Sequence, residues 1–137
     1  MIFTLLLIDA EKLWIPDIEL YNNADPNRIG MRSKTNALVY PDGEVLWVPP
    51  TQVKSYCALN FKFWPFDGQT CTLKFGSWTH DGFKIALSLY NNKDYIDLSD
   101  YWNNSEWKII ETHAKLNTKY YSCCDEPYQD ISFNLTV

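Results

Sequence analysis

Hydrophobic and polar residues alternate with a period of two in several segments of the chain. Such alternation is typical of antiparallel β-strands with one face on a core and the other on water or a partner. It predicts strands over residues 57–63, 71–75, 83–89 and 131–137. No segment shows helical periodicity over three turns, so we expect an all-β fold. Many short strands at this spacing indicate a β-sandwich.

Turn-forming residues separate the predicted strands. Pro41-Asp42-Gly43 lies between Ala37–Tyr40 and Glu44–Val48 and predicts a β-hairpin. The polar segment 91–104 has no clear pattern, which predicts a long loop. The apolar run 2–8 is too short to cross a membrane. It also lacks the basic leader and the cleavage site of a signal peptide.

Length, charge and cysteine content narrow the class of protein. The 137 residues suit one domain, and the formal net charge of -5 argues against nucleic acid, because phosphates attract basic surfaces. Four cysteines predict two disulfides in an oxidising compartment, with free thiols as the alternative. Two glycosylation sequons, at Asn103 and Asn134, agree with a secreted context.

Cys57 and Cys71 are expected on the inward faces of neighbouring strands. A disulfide between them would close a loop of thirteen intervening residues and add roughly 3 kcal/mol of stability. A purely structural staple accounts for the cysteines but not for the apolar tip of the loop, Trp64-Pro65-Phe66. An exposed apolar tip indicates contact with another domain or with a membrane surface.

Cys123 and Cys124 are adjacent in the sequence. Neighbouring Cα atoms lie about 3.8 Å apart, whereas disulfides prefer about 4.4–6.8 Å, so a bond between them is strained and rare. A zinc site would need two further ligands, and His80 and His113 lack metal-motif spacing. Pairing with other thiols is a third interpretation, although Cys57 and Cys71 already form a plausible pair. We therefore expect a vicinal disulfide and no metal.

Aromatic residues make up 16% of the chain, and several flank the adjacent cysteines. Tyr120, Tyr121 and Tyr128 lie beside them, Trp78 lies at a predicted strand end, and Tyr21 follows Trp14-Ile15-Pro16-Asp17. A cage of such rings binds a cation, with about 0.5–1 kcal/mol per exposed contact and about 2 when desolvated. Four or five contacts would support micromolar binding, roughly -8 kcal/mol. Each ring could equally be core, because spacing alone does not bring distant segments together.

These motifs resemble the extracellular domain of a nicotinic acetylcholine receptor α-type subunit, in the family of Cys-loop ligand-gated ion channels. The loop from Cys57 to Cys71 is similar to the family's signature loop, which more often has Phe where Trp64 stands. Segments 14–25, 76–82 and 121–128 resemble binding loops A, B and C. Residues 14–137 thus resemble a partial ligand-binding domain, whereas 1–13 match poorly.

The resemblance implies a fold and a set of site residues. The fold is the immunoglobulin-like β-sandwich of the Cys-loop receptor ligand-binding domain, without its N-terminal helix and first strands. The principal face of the agonist site would comprise Tyr21, Trp78, Tyr121, Cys123, Cys124 and Tyr128. The complementary face, which serves the neighbouring subunit, would include Leu38, Leu46 and Val48. Coupling to gating would involve Lys74, Asp130, Trp64, Pro65, Phe66 and Asp67, with disulfides Cys57–Cys71 and Cys123–Cys124.

The implied function is the ligand-binding ectodomain of an acetylcholine-gated cation channel. Acetylcholine or a similar quaternary-ammonium agonist would bind at a subunit interface of a pentamer. The glycoprotein would lie on the extracellular side of the postsynaptic membrane, held there by a C-terminal channel domain absent from this sequence. We expect no cofactor and no enzymatic activity, because no nucleophile triad or metal spacing is present. A soluble acetylcholine-binding protein is the alternative, which the apolar tip at Trp64-Pro65-Phe66 disfavours.

Overall fold

The computed structural model describes residues 5–26 and 34–137, which form two antiparallel sheets with almost no helix. Two short 3-10 helices cover Ala10–Lys12 and Tyr90–Asn92. The all-β class is confirmed. The strands of the described residues are β1 (Leu6–Asp9), β2 (Ile18–Leu20), β3 (Asn36–Val39), β4 (Val45–Leu46), β5 (Thr70–Ser77), β6 (Glu111–Tyr121) and β7 (Cys124–Thr136).

The smaller sheet has the strand order β1-β3-β4. Its β3–β4 hairpin confirms the turn prediction, with Leu38 opposite Leu46 and Val39 opposite Val45. Gly43 has a φ of 93° in this turn, a conformation that suits glycine. The apolar run at 2–8 contributes most of β1, which pairs with β3, while residues 2–4 lie outside the described residues.

The larger sheet has the order β2-β5-β7-β6 and carries the candidate site. Along β5 and β7 the two faces differ as the alternation predicts. Phe75 and Phe133 pack edge to face on the apolar side, with ring centroids 6.0 Å apart. The other side bears Lys74 and Asp130, so one face is polar. The strands predicted at 71–75 and 131–137 are confirmed, each as part of a longer strand.

The strands predicted at 57–63 and 83–89 are wrong. In the first segment, the side chain of Gln69 takes the place of a partner strand. It accepts from the Asn60 amide and donates to the Asn60 carbonyl, both at 2.9 Å. In the second segment, the Leu87 amide likewise donates to a glutamine side chain, that of Gln129, at 2.8 Å. Side-chain hydrogen bonds thus satisfy the Asn60 backbone and the Leu87 amide where a strand would have a ladder, and Cys57 does not lie on a strand.

The segment 91–104 is irregular apart from the end of the second 3-10 helix, as predicted. Within residues 5–26 and 34–137, the model contains no helix long and apolar enough to cross a membrane.

Candidate functional site

An open cleft of about 250 Å³ lies on the polar side of the larger sheet, beside the β6–β7 hairpin. We call it the aromatic cleft. Four of its lining residues are large aromatics, and the rest are polar or charged. The lining residues are Tyr21, Lys74, Ser77, Trp78, Lys119, Tyr121, Tyr128, Gln129 and Asp130.

The four aromatic side chains form two edge-to-face pairs. The ring centroids of Tyr21 and Trp78 lie 6.0 Å apart, and those of Tyr121 and Tyr128 lie 5.4 Å apart. Each such pair is worth about 0.5–1.5 kcal/mol beyond its buried area. All four side chains remain partly exposed. Tyr21 and Trp78 also line a second cleft of about 370 Å³, on the side of Asp17.

Tyr21 is positioned by the neighbouring strand β5. Its amide donates to the Lys74 carbonyl at 2.8 Å, and its hydroxyl donates to the Ser77 carbonyl at 2.7 Å. The ring crosses β5 at Gly76, where a Cβ atom would clash with the Tyr21 hydroxyl and lie 2.7 Å from ring atom Cζ. The absence of a side chain at Gly76 therefore allows the tyrosine to lie against the sheet.

The β6–β7 hairpin brings Tyr121 and Tyr128 to the cleft. Ser122 and Cys123 form its turn, and the predicted Cys123–Cys124 disulfide lies at this tip. Tyr121 pairs with Cys124, but Lys119 pairs with Tyr128, so the register shifts between them. This irregularity includes Pro127, whose missing N–H is tolerated where the ladder is interrupted.

Asp17 ties the loop that carries Trp78 to the segment before β2. One carboxylate oxygen accepts from the Thr79 amide at 2.7 Å and from the Thr79 hydroxyl at 2.5 Å. The other accepts from the Ser77 hydroxyl at 2.5 Å and lies 3.1 Å from His80 Nδ1. The Trp78 amide donates to the Asp17 carbonyl at 3.2 Å. Asp17 thereby fixes the backbone on both sides of the tryptophan.

The electrostatics of Asp17 follow from these contacts. Burial opposes ionisation, but the hydrogen bonds from Ser77, Thr79 and His80 outweigh it and hold the pKa of Asp17 well below its ordinary value. The carboxylate therefore stays charged at neutral pH. Burial is the main cause that raises the pKa of the Tyr21 phenol, followed by electrostatic interactions with Asp130, Tyr121 and Asp17. The Tyr21 hydroxyl therefore remains a hydrogen-bond donor.

Lys74 and Asp130 form an ion pair across β5 and β7. The Lys74 ammonium lies 3.1 Å from the carboxylate of Asp130, which is buried. Asn117 donates to the same carboxylate at 2.8 Å and Ser132 at 3.3 Å. A buried carboxylate needs such partners, since an unpaired buried charge is strongly destabilising. The Lys74 ammonium also lies 5.8 Å from the centre of the Tyr21 ring, which connects the ion pair to the cleft.

The residues predicted for the complementary face lie on the smaller sheet. Leu38 and Leu46 pair directly on β3 and β4, so they share a face, and Val48 lies beyond the end of β4 with 75% of its surface exposed. None of the three lines the aromatic cleft. The structure therefore separates them from the principal-face residues within one chain.

The predicted Cys57–Cys71 disulfide is present, with Cα atoms 5.2 Å apart, and it closes the loop with the apolar tip. Trp64 and Phe66 are 72% and 92% exposed, and the Trp64–Pro65 peptide bond is cis. Asp67 is half-buried and accepts a hydrogen bond from Gln69. The tip is thus held from its base while its large apolar side chains face outward.

The two glycosylation sequons have different surroundings. Asn103 is exposed in the irregular segment after the second 3-10 helix. Asn134 lies within β7, where its side-chain oxygen accepts from the Thr72 hydroxyl at 2.7 Å. Attachment of a glycan at either residue stays a prediction.

Several residues of the site were not singled out from the sequence. Asp17 and Gly76 stood inside recognisable motifs, but their roles depend on contacts with residues about sixty positions away. Lys119 enters the cleft because the hairpin register places it opposite Tyr128. Lys119 precedes Tyr121 by two residues, and such residues lie on the same side of a strand. The sequence would therefore have placed Lys119 beside Tyr121 if β6 had been predicted.

The model for the neurotransmitter-gated ion-channel ligand-binding domain matches residues 3–137. The acetylcholine receptor subunit beta-like 1 of Drosophila melanogaster is 49% identical over 133 residues, covering 96% of this chain and 25% of the relative. The neuronal acetylcholine receptor subunit alpha-2 of Gallus gallus is 44% identical over 134 residues, covering 98% and 25%. The alpha-3 subunit of Rattus norvegicus is 45% identical over 130 residues, covering 95% and 26%.

The chain belongs to the family of neurotransmitter-gated ion-channel ligand-binding domains, and its relatives include nicotinic acetylcholine receptor α subunits. The resemblance stated from the loop motifs is confirmed. The two-sheet, all-β architecture agrees with the ligand-binding domain of this family. The family is one of ligand-gated channels rather than of enzymes. The chain spans about a quarter of the length of these relatives.

Proposed function

We propose that this chain is the ligand-binding ectodomain of an acetylcholine-gated cation channel subunit, and that the aromatic cleft binds the quaternary ammonium of the agonist. One observation carries the proposal. Two edge-to-face aromatic pairs, Tyr21–Trp78 and Tyr121–Tyr128, line a single cleft beside a hairpin that ends in a vicinal disulfide.

The chemistry of the cleft suits a cation that cannot donate hydrogen bonds. The faces of aromatic rings are electron-rich, so they attract a positive charge. A quaternary ammonium has no N–H group to donate to a carbonyl or hydroxyl oxygen, so the rings suit it better. Four rings at about 0.5–2 kcal/mol each supply about 2–8 kcal/mol of gross interaction energy, a large part of the roughly 8 kcal/mol that micromolar binding represents. A volume of about 250 Å³ fits a small ligand. Trp78 is the main ring platform in this proposal, because it is the most exposed of the four, and its carbonyl would accept a hydrogen bond from agonists that can donate one.

The open side of the cleft would be closed by a neighbouring subunit of a pentamer. The apolar residues Leu38, Leu46 and Val48 supply that wall in this proposal, each chain lending them to the next chain's cleft. This arrangement accords with their position on the other sheet, away from the chain's own aromatic cleft. An apolar wall suits the end of the agonist that carries no charge.

Agonist binding would bias the channel toward opening by a population shift. The bound cation would favour the conformation in which the β6–β7 hairpin, capped by Cys123–Cys124, closes over the cleft. Lys74, Tyr121 and Asp130 would link that closure to β5 and β7, whose other ends lie near the disulfide-closed loop. The exposed tip of that loop, Trp64-Pro65-Phe66, would contact the channel domain. In this proposal the ligand-binding domain lies on the extracellular side of the postsynaptic membrane, where both disulfides are stable.

The test is agonist binding by receptors assembled with the subunit that contains this chain. Trp78→Ala should weaken acetylcholine binding by at least about 30-fold, the equivalent of about 2 kcal/mol for one desolvated ring. Trp102→Ala is a matched control, because Trp102 is 90% exposed and lies outside the cleft. Tyr121→Ala, which lines the aromatic cleft but not the second cleft, should also weaken binding. Unchanged affinity in Trp78→Ala receptors would refute the proposal.

A soluble acetylcholine-binding protein shares the cleft but has no channel domain to contact. The exposed Trp64 and Phe66 favour the channel subunit, because a protein without such a partner gains nothing from large apolar side chains at this tip. The transcript that encodes this chain decides between the two functions. Coding sequence for apolar membrane helices after Val137 would support the channel, and a stop codon there would support the soluble protein.

A further inference from the structure

Lys119 places a positive charge inside the aromatic cleft. Its ammonium lies 4.7 Å from the centre of the Tyr121 ring, within the range of a cation–π contact. The position follows from the strand geometry. Lys119 is two residues before Tyr121 on β6 and directly opposite Tyr128 on β7, so all three side chains project from the same side of the hairpin.

The charge of Lys119 is not balanced within the cleft. Lys74 also lies over a tyrosine ring, but Asp130 neutralises it at 3.1 Å. Among residues 5–26 and 34–137, Lys119 has no carboxylate within 4.0 Å. The charged side chains that line the cleft are Lys74, Lys119 and Asp130, so one positive charge remains uncompensated. A cleft for a cation thus contains a cation of its own chain.

We propose that Lys119 is an intramolecular competitor of the agonist, a specificity-determining residue that lowers the affinity of the cleft for compact quaternary-ammonium ions. This inference rests on the proposed function. The face of the Tyr121 ring that Lys119 covers cannot contact a ligand cation at the same time, and the two positive charges repel each other. A ligand cation must therefore displace Lys119 from the ring before it gains that contact.

The experiment measures binding of tetramethylammonium by receptors assembled with the subunit that contains this chain. Lys119→Gln removes the charge and should tighten binding by about twofold to fivefold, equivalent to about 0.4–1.0 kcal/mol. Lys119→Arg keeps the charge and the ring contact, so its affinity should match that of the unaltered protein. Raising the ionic strength should reduce the difference between Lys119→Gln and the unaltered protein, because salt screens repulsion between exposed charges.

Lys115→Gln is the matched control. Lys115 lies on the same side of β6, opposite Ser132, and does not line the cleft. Four strand residues span roughly 13 Å, beyond the screening length of about 8 Å at physiological salt. Removal of this charge should leave tetramethylammonium affinity unchanged. An equal gain in Lys115→Gln would attribute the effect to net charge and overturn the proposal.

Two further outcomes would overturn the proposal as well. Unaltered affinity in Lys119→Gln would be the first, and weaker binding would be the second, because it would show that Lys119 positions the Tyr121 ring for the ligand instead of competing with it. Trp78→Ala in the same assay separates this inference from the proposed function. Loss of binding in Trp78→Ala without a gain in Lys119→Gln would refute the competition alone, whereas full binding in Trp78→Ala would refute the proposed function.

Discussion

Adding a single methyl group at Gly76 should displace Tyr21 and thereby remove one wall of the aromatic cleft. In Gly76→Ala the new Cβ would clash with the Tyr21 hydroxyl, lie 2.7 Å from Tyr21 Cζ and lie 3.0 Å from the Gln129 carbonyl oxygen. The tyrosine is the movable neighbour, so it must swing away from the sheet. It would then lose its hydrogen bond to the Ser77 carbonyl and its edge contact with Trp78.

The expected cost to agonist binding follows from these losses. The ring contact with the ligand is worth about 0.5–2 kcal/mol, and the Tyr21–Trp78 pair that orients the tryptophan about 0.5–1.5 kcal/mol. Together they predict a loss of about 1–3.5 kcal/mol, or roughly 5- to 350-fold in affinity. Radioligand binding to assembled receptors measures this range directly.

A double-mutant cycle tests the mechanism as well as the size of the effect. If Gly76→Ala acts by displacing Tyr21, it should add almost nothing in a Tyr21→Ala background, and the two losses should be strongly non-additive. Gly82→Ala is the matched control, because its Cβ would also lie 3.0 Å from a backbone oxygen, that of Pro127, but would not meet Tyr21. Additive losses from Gly76→Ala and Tyr21→Ala would show that the reasoning about the clash is incorrect.

Two further predictions concern Asp17 and the vicinal disulfide. The folded-state pKa of Asp17 is depressed, so the stability that its ionised form contributes is complete above the unfolded pKa of about 3.9 and is lost as pH falls through the lower folded value. In urea denaturation, Asp17→Asn should therefore cost a constant amount above about pH 5 and progressively less below about pH 4; a cost independent of pH over this range would contradict the assignment. Mild reduction should weaken agonist binding through Cys123–Cys124, and mass spectrometry that finds free thiols at these two positions in the folded protein would contradict the bond.

The strands that were predictable have one apolar and one polar face, as in Phe75 beside Lys74. Their alternation reflects real burial on a sheet. The segment 57–63 alternates equally well, yet the backbone of Asn60 hydrogen-bonds to the side chain of Gln69 and not to a neighbouring strand. The alternation pattern does not reveal this difference. Strand β6 was missed because its apolar side is weakly hydrophobic, with Leu116 between Ala114 and Thr118, and because it pairs only with β7 in the larger sheet.

The site was predictable as a set of residues and not as an arrangement. The loop motifs pointed to Tyr21, Trp78, Tyr121 and Tyr128, and these four residues do line one cleft. The supporting contacts were beyond reach, because they join distant segments. Asp17 meets Thr79 across sixty-two positions, and Lys119 reaches Tyr121 only when the hairpin register is known. Motifs name the groups that meet a ligand, while the pairing of strands decides which other groups accompany them.

The register shift in the β6–β7 hairpin limits how this region can change in length. The pairing moves by two residues between the Lys119–Tyr128 pair and the Tyr121–Cys124 pair. An even step keeps Tyr121 and Tyr128 on one side of the ribbon, since side chains alternate along each strand. Deletion of one residue from 125–127 would instead turn over either the tip or the strand that follows it, and in the second case Tyr128 and Asp130 would move to the apolar face. A change of two residues between Cys124 and Tyr128 therefore keeps both tyrosines on the side of the cleft, whereas a change of one residue does so only if a further β-bulge absorbs it.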